Sequence, residues 1–561
     1  MNKKKFVFLS LVILVGSALS ALPPAAPSAG IVERQLEKEY EGKPLEPKRE
    51  VPSIQIDIPK ERLALPEDKK VLIKKVHIQG NESVSTKEIC SWISCDLNRE
   101  MSIKEIYELC RRIDEKYAEK GFFLARAYPP VQEIKDGILT IEIIEGKLGK
   151  ISIEGNHHYS TPFILKYFSF LQGHPLRYND FLRSLMLLNE NSDLAAGAVF
   201  EKGEAFGTAD VILRVVDGRP LHLYLNGNNY GRFLTTNARV GGRFDGGNLF
   251  FYGDKISVAQ VVGFPIEALF FTDVSYTVPL NAKGTFLETS YLFSKFKVEE
   301  LKFLNLRGRS DIATLKVSHA IMRRLFWSVD FFSYFDFKQI GNFVLHSTAS
   351  YDKLRVLTAG FLFDHYGLAK GRDYLNLRMS YGIPHFLGGL RSVDSGCSRN
   401  GAGGLFLKVN ADYDRIQQLP RSCYLYLHGS GQWSPYKLTL PEVIYIGGID
   451  TVRGFPLASA LGDSGYYANI ELRIPPLFLA NKRFFMSKKS WKEIVQIAGF
   501  FDHGGVFLQS EKSTFECGSG VGLRVNGPYS LTFTLDVAFP LNHRDSSKSP
   551  FVYIKLTGQP F

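Results

Sequence analysis

Two glycine-bounded segments carry the charged residues best placed for specific chemistry. One runs Gly447-Gly448-Ile449-Asp450-Thr451-Val452-Arg453-Gly454-Phe455, the other Gly499-Phe500-Phe501-Asp502-His503-Gly504-Gly505. Arg453 is permanently charged and presents a planar fork suited to a carboxylate. Gly454 beside it permits a tight turn. Asp502 can accept the fork bidentately. The first segment lies in a long stretch between strand-like residues 424–433 and 467–474, and loops of that length are often functional.

Catalytic signatures are missing. The sequence contains no HExxH, no GxxxxGK[ST] and no GxSxG. Gly518-Ser519-Gly520-Val521-Gly522 is glycine-rich but opens no helix, so it does not read as a dinucleotide loop. His157-His158 sit at a turn and read as solvated. Asp450, Asp463 and Asp502 form no acid/base pair by spacing. Neither enzyme activity, a cofactor nor a metal is expected. Of the six cysteines, Cys90, Cys95 and Cys110 cluster. An exported context permits one bridge among them. The pairing stays open, as does the alternative of free thiols.

These segments need elements to hold them. Lys3-Lys4-Lys5, an apolar run from Phe6 to about Val15 and the small residues Gly16 to Ser20 have the layout of a secretory signal over 1–21. Residues 22–69 follow as a helix (Ser28 as cap, then Val32, Leu36 and Tyr40 at helical spacing) and a linker with Pro44, Pro47, Pro52, Pro59 and Pro66. A repeat comes next. Val76-His77-Ile78-Gln79-Gly80-Asn81 returns further along the chain as Ile151-Ser152-Ile153-Glu154-Gly155-Asn156. Each copy opens a β-α-α-β-β series, the first over 70–146 and the second over 147–219. The first reads strand 71–79, helix 86–93, helix 102–120, and strands 122–131 and 138–144. Ser102 with Glu105 forms a capping box. The second reads strand 150–154, helices 161–170 and 179–189, and strands 198–202 and 209–216.

From 220 to 561 helical periods vanish and period-2 alternation takes over. In 530–539, Leu531, Phe533, Leu535, Val537 and Phe539 alternate with Thr532, Thr534, Asp536 and Ala538. Residues 374–383 and 467–474 behave alike. This part holds 33 of the 43 Phe. Its charge is 37 − 26 = +11, against 28 − 31 = −3 for residues 22–220 and +3 for 1–21. The basic residues are scattered between apolar ones, which argues against nucleic acid. Ten or more strands with one apolar, aromatic face and one polar face suit a membrane barrel with an apolar outside and a wet lumen. Signals recur about every 20 residues, room for ~10-residue strands with alternating turns and loops. The mean hydropathy of −0.06 is then an average of two opposed faces. The chain ends in an apolar strand with Phe561, which suits a membrane-insertion signal.

These features together resemble the outer-membrane transporters of two-partner secretion, the haemolysin-activator type, in the superfamily of BamA. Val452-Arg453-Gly454-Phe455 is similar to the family's loop-tip motif. Phe500-Phe501-Asp502-His503-Gly504 is similar to its F-x-D-x-G strand motif. Gly173-His174-Pro175-Leu176 and the leucines of 182–188 resemble its second POTRA module. The resemblance implies two POTRA modules and a sixteen-stranded antiparallel transmembrane barrel. It also implies a loop folded into the lumen and an N-terminal helix that can plug the pore, with 28–40 as a loose match. It implies an outer-membrane pore, its POTRA domains in the periplasm, that recognises a secreted exoprotein through those domains and translocates it. Other implied partners are outer-membrane lipid and the barrel assembly machinery. Arg453 on the loop and Asp502 on the wall, beside Phe500 and Gly504, would hold the loop, and exchanging the two would test the pair. The alternatives are an assembly or insertion factor of the same superfamily, or a passive porin.

Overall fold

In the computed structural model the described residues are 28–41, 52–57, 70–94, 97–231, 236, 238–250, 252–298, 302–484, 489–508, 512–527, 530–542 and 549–559. The signal segment, Cys95 and Phe561 lie outside them. No helix among the described residues is long and apolar enough to cross a membrane.

Helix α1 (Ala29–Glu41) comes first and is followed by a short strand, β1 (Ile54–Ile56). The first module contains β2 (Lys70–Ile73), β3 (Lys75–Gln79), α2 (Thr86–Ile93), β4 (Arg99–Ser102), α3 (Ile103–Glu119), β5 (Arg126–Tyr128) and β6 (Ile138–Ile144). Its main sheet has the order β3-β6-β5, with β3 and β6 parallel. The strand expected over 71–79 breaks at Lys74. Its first half pairs with β4 instead, outside the main sheet. The strand expected over 122–131 shrinks to β5, because Phe122 and Ala125 close a turn that buries Phe122. The capping box forms as expected. The Glu105 backbone N–H donates to Ser102 Oγ at 3.2 Å, and that of Ser102 donates to the Glu105 carboxylate at 2.7 Å. Helix α3 buries Ile106, Leu109, Ile113 and Tyr117 on one face.

The second module has β7 (Lys147–Glu154), α4 (Thr161–Lys166), α5 (Tyr178–Leu188), β8 (Leu194–Lys202) and β9 (Thr208–Asp217). The chemistry of the repeat is visible at the turns. Gly80 and Gly155 adopt φ +81° and +86°. After each, a carboxylate from the end of the module gathers backbone donors. Glu145 takes the N–H groups of Glu82 and Ser83, and Asp217 those of His157, His158 and Tyr159. The sheet order is β1-β8-β9-β7. Thus the linker contributes a fourth strand. Ile54, Gln55 and Ile56 pair in parallel with Ala198, Val199 and Phe200.

The barrel that alternation predicts closes through sixteen antiparallel strands, the number the resemblance implies. The first eleven are β10 (Leu221–Asn228), β11 (Arg239–Gly247), β12 (Lys255–Gly263), β13 (Leu269–Asn281), β14 (Thr285–Lys297), β15 (Arg307–Arg323), β16 (Trp327–Val344), β17 (Ser347–Tyr366), β18 (Gly371–Gly382), β19 (Phe406–Leu419) and β20 (Cys423–Trp433). Strands β21 (Ile444–Ile446) and β22 (Ala460–Gly462) form a small hairpin inside the long loop 434–463. The barrel resumes with β23 (Ser464–Ile474), β24 (Val495–Phe507), β25 (Thr514–Asn526), β26 (Thr532–Pro540) and β27 (Phe551–Gly558). Strands β10 and β27 close the ring, from Leu225 opposite Gly558 to Asn228 opposite Lys555.

The second module is seated on the turns at one end of the barrel, which is therefore the periplasmic end. Arg183 donates to the carbonyls of Ile321 at 2.7 Å and Lys283 at 3.1 Å. The amide of Asn248 donates to the His158 carbonyl at 3.0 Å. Leu187 packs against Gly284. Cys90 and Cys110 carry free thiols, so no bridge joins them.

Candidate functional site: a loop clamped in the lumen beside a lumenal helix

Loop 434–463 leaves the extracellular end of β20 and turns back into the barrel. Ile444, Ile446, Val452, Phe455 and Ala460 bury against Tyr467 and Val506 of the wall. Two glycines permit this approach. Gly454 has φ +95°, and a Cβ there would meet the β26 backbone at Phe539 within 2.9 Å. A Cβ on Gly504 would meet Val452 Cγ2 at 2.9 Å. The glycine of the strand motif is thus the seat of the loop's valine.

Arg453 sits at the loop tip, 6% exposed, over a fully buried Asp502. Its Nε donates to Asp502 Oδ2 at 2.7 Å and its Nη2 to Oδ1 at 2.8 Å. This is the bidentate geometry expected. Its own backbone N–H adds a third bond to Oδ2 at 3.1 Å. The guanidinium lies 3.5 Å from the Phe500 ring centroid, a cation–π contact. So Val452, Arg453, Phe500, Asp502 and Gly504 converge. Gly454 and Phe455 dock beside them, where Tyr553 donates to the Phe455 carbonyl at 3.3 Å. The 499–505 segment lies inside β24.

Sequence reasoning missed the rest of this network. Arg453 Nη1 also donates to Glu471 Oε2 at 2.8 Å and lies 3.6 Å from Asp536 Oδ2. Arg524 bridges the same two acids, at 3.0 Å to Glu471 and 2.6 Å to Asp536, and Arg473 holds the other Glu471 oxygen at 2.7 Å. Three acids and three arginines from four strands and a loop form one buried lattice. The available signal was the alternation itself, which placed Glu471, Arg473 and Asp536 on the polar face.

Helix α1 lies in the lumen beside this loop. Ala29, Val32 and Leu36 pack on an apolar strip of the inner wall that includes Phe271, Leu292, Phe296, Ile312 and Ile340. Ile31 faces Tyr445, Leu457 and Ala458 of the loop. A Cβ on Gly30 would strike Pro441 at 2.7 Å, so glycine sets the approach. Ser28 does not cap as expected: its Oγ is buried without a hydrogen-bond partner. Glu442 of the loop binds Lys338 at 3.1 Å and Lys408 at 2.6 Å. Burial pushes its carboxyl up, but the two lysines outweigh it and hold it at about 2. Burial instead raises Glu33 of α1 from 4.5 to about 7, against the weaker pull of Lys338 and Arg34.

No group of three or more His, Cys, Asp or Glu among the described residues is arranged to hold a metal ion. The model of the haemolysin secretion/activation protein family (ShlB/FhaC/HecB) matches residues 207–525, more than half of the sequence, and the ShlB-type POTRA model matches 71–146. The chain belongs to this family. It is a transporter of the two-partner secretion type in the outer membrane, with its POTRA domains in the periplasm. The heme/hemopexin transporter protein HuxB of Haemophilus influenzae is 22% identical over 83% of this chain and 82% of its own. The outer membrane transporter CdiB of Escherichia coli is 22% identical over 71% of this chain and 68% of its own. The solved CdiB from Escherichia coli covers 95% of this chain and 99% of its own at 19% identity, with a TM-score of 0.78. That from Acinetobacter baumannii gives 0.67 at 18% identity, covering 94% and 96%.

Proposed function

We propose that this transporter exports one large partner protein, unfolded, from periplasm to cell surface, once residues 1–21 have been removed and the barrel assembly machinery has inserted residues 220–561. The observation that carries the reading is α1 inside the closed barrel. A passive porin keeps its lumen open, whereas a helix packed on an apolar wall strip is a stopper.

Recognition would use a sheet edge. In β-augmentation, backbone hydrogen bonds give affinity and alternate side chains give specificity. The edge of β8 is covered by the chain's own β1, whose flanks add bonds from Ala198 to the Ser53 carbonyl and from Asp57 to the Phe200 carbonyl, both at 2.9 Å. A partner segment pairing with β8 would displace β1. Because β1 and α1 belong to one N-terminal segment, this exchange loosens the tether of the stopper. The Arg453 clamp keeps the loop folded on the wall while the helix leaves, and the partner passes through a lumen hydrated by its charged lining. Surface folding of the partner would make passage one-way.

Comparing the proteins in the medium of cells with and without this chain tests the reading. Loss of one large exported protein is expected. An unchanged medium contradicts it.

A further inference from the structure

The outer wall carries one feature that transport does not use. Above the lipid-facing aromatic residues, at the extracellular end of β14 to β17, outward-pointing cations lie in register. Lys295 is opposite Phe270 and Arg309, and Arg309 is followed by Gly341 and Tyr351. One step toward the membrane run Phe293, Asp311, Gln339 and Lys353, and beneath them Tyr291, Ala313, Phe337 and Arg355. Lys297 and Arg307 stand one pair above. The orientation is fixed by the alternation: Leu292, Ser294, Ser310, Ile312, Leu354 and Val356 between these positions are buried toward the lumen.

Each of four cations covers a ring. Lys295 lies 5.3 Å from the Phe270 centroid, Arg309 5.3 Å from Phe293, Lys353 5.4 Å from Tyr351, and Arg355 3.3 Å from Phe337. Lys295, Arg309 and Lys353 are exposed, while Arg355 is roofed by the Leu387 carbonyl at 2.9 Å. Asp311 is the one carboxylate on these outward positions. It fixes Arg309 (2.6 Å and 3.0 Å) and takes the Tyr291 hydroxyl at 2.7 Å. A groove of about 530 Å³ opens between Tyr291, Arg309, Asp311, Phe337, Phe343 and Tyr351. The patch is one-sided. At the same height on β18 to β27 the outward residues include Met379, Val409, Trp433, Tyr466, Phe507 and Phe539, and no Lys or Arg among the described residues.

We propose that this patch binds the bisphosphorylated headgroup of an outer-leaflet glycolipid. Arginine and lysine recognise phosphate through charge-assisted bonds, and basic pockets at a membrane surface hold lipid headgroups. The position supplies the second half of the match. Directly below the cations, Phe293, Tyr291, Phe337, Leu315 and Leu357 offer an apolar wall for acyl chains, a combination that free phosphate does not need. The lipid would fix one side of the barrel in the outer leaflet and leave the side holding the loop clamp free.

The test uses the full-length protein in detergent, with lipid A, its monophosphorylated form and phosphatidylglycerol as probes in native mass spectrometry. Lipid A should bind best and the monophosphorylated form more weakly. Phosphatidylglycerol should bind least, and millimolar inorganic phosphate should not displace lipid A. The variant Lys295→Gln/Arg309→Gln/Lys353→Gln should bind lipid A about a hundredfold more weakly, from three surface cations removed. Heat-modifiable mobility on gels reports that its barrel is closed; if it is not, the single Lys353→Glu, on an exposed outer position, is measured instead and should weaken binding about tenfold or more. Equal affinity of variant and wild type, equal binding of phosphatidylglycerol, or displacement by inorganic phosphate would overturn the proposal.

Discussion

Two objects fill the same lumen and are held in different ways. The loop tip at Arg453 is held by charge: all three guanidinium nitrogens reach carboxylates, and those carboxylates are shared with Arg473 and Arg524. Helix α1 is held by apolar contact through Ala29, Val32 and Leu36 and by separate polar ties, among them Arg34 to the Val443 carbonyl and over the Tyr445 ring. Others are Ala29 N–H to Asn342 at 3.0 Å and Gln35 to the Tyr230 carbonyl, also 3.0 Å. Glu33 Oε1 and Ser28 Oγ are buried without hydrogen bonds. A buried, fully satisfied lattice is costly to break from one side. An apolar face with orphaned polar atoms separates more easily, because those atoms regain water on leaving. Under the proposed function, this contrast fits the loop as a fixed strut and the helix as the removable part.

The largest break in this contrast should come from Arg453→Ala. It leaves Asp502 buried without its cation, a loss of about 3–5 kcal/mol from the clamp. Secretion should be abolished while heat-modifiable mobility shows an inserted barrel; normal secretion would contradict the strut. The structure also changes what the reciprocal exchange means. Arg453→Asp with Asp502→Arg puts an aspartate beside Glu471 and Asp536, so it should fail to rescue. Rescue would show that these two acids matter little.

Removing the helix should act the opposite way. Deletion of residues 28–41 should raise single-channel conductance in planar bilayers several-fold. Unchanged conductance would mean that α1 does not obstruct the pore. A smaller effect belongs to Glu33, which faces Lys338 of the wall, Glu442 of the loop, and its neighbours Arg34 and Glu37. Its carboxyl takes up a proton more readily when packed (about 7) than when free (4.5). The seated helix therefore binds the extra proton. Its stability is greatest below pH 4.5, falls as pH rises toward about 7, and is flat above. Channel opening should rise across that window, and Glu33→Gln should flatten it and keep the pore more closed at neutral pH. The smallest effect is expected of Tyr553→Phe, which removes one bond to the loop, worth about 1 kcal/mol. It should slightly speed proteolysis within 447–455.

The legible parts of the sequence were those with a local period. Alternation gave the barrel strands, and the repeated Gly-Asn turns gave two modules. The capping box at Ser102 placed α3, and only the family resemblance of two short motifs placed Arg453 against Asp502. What escaped was non-local. Glu471, Arg524 and Asp536 meet around Arg453 from different strands, and no spacing links them. Strand β1 escaped because three residues between prolines carry little strand signal; the edge of β8 supplies the order. The break at Lys74 escaped because an alternating run does not show where pairing changes partner.

Two cysteine tethers test the strut-and-stopper distinction most directly. Ala29→Cys with Asn342→Cys ties α1 to the wall, at residues already in hydrogen-bond contact. Ser459→Cys with Glu516→Cys ties the loop to β25, at residues likewise in hydrogen-bond contact. Secretion of the exported protein is measured with each bridge oxidised and reduced. The helix tether should block secretion until it is reduced, and the loop tether should leave secretion intact in both states. A blocked loop tether with an indifferent helix tether would contradict the account.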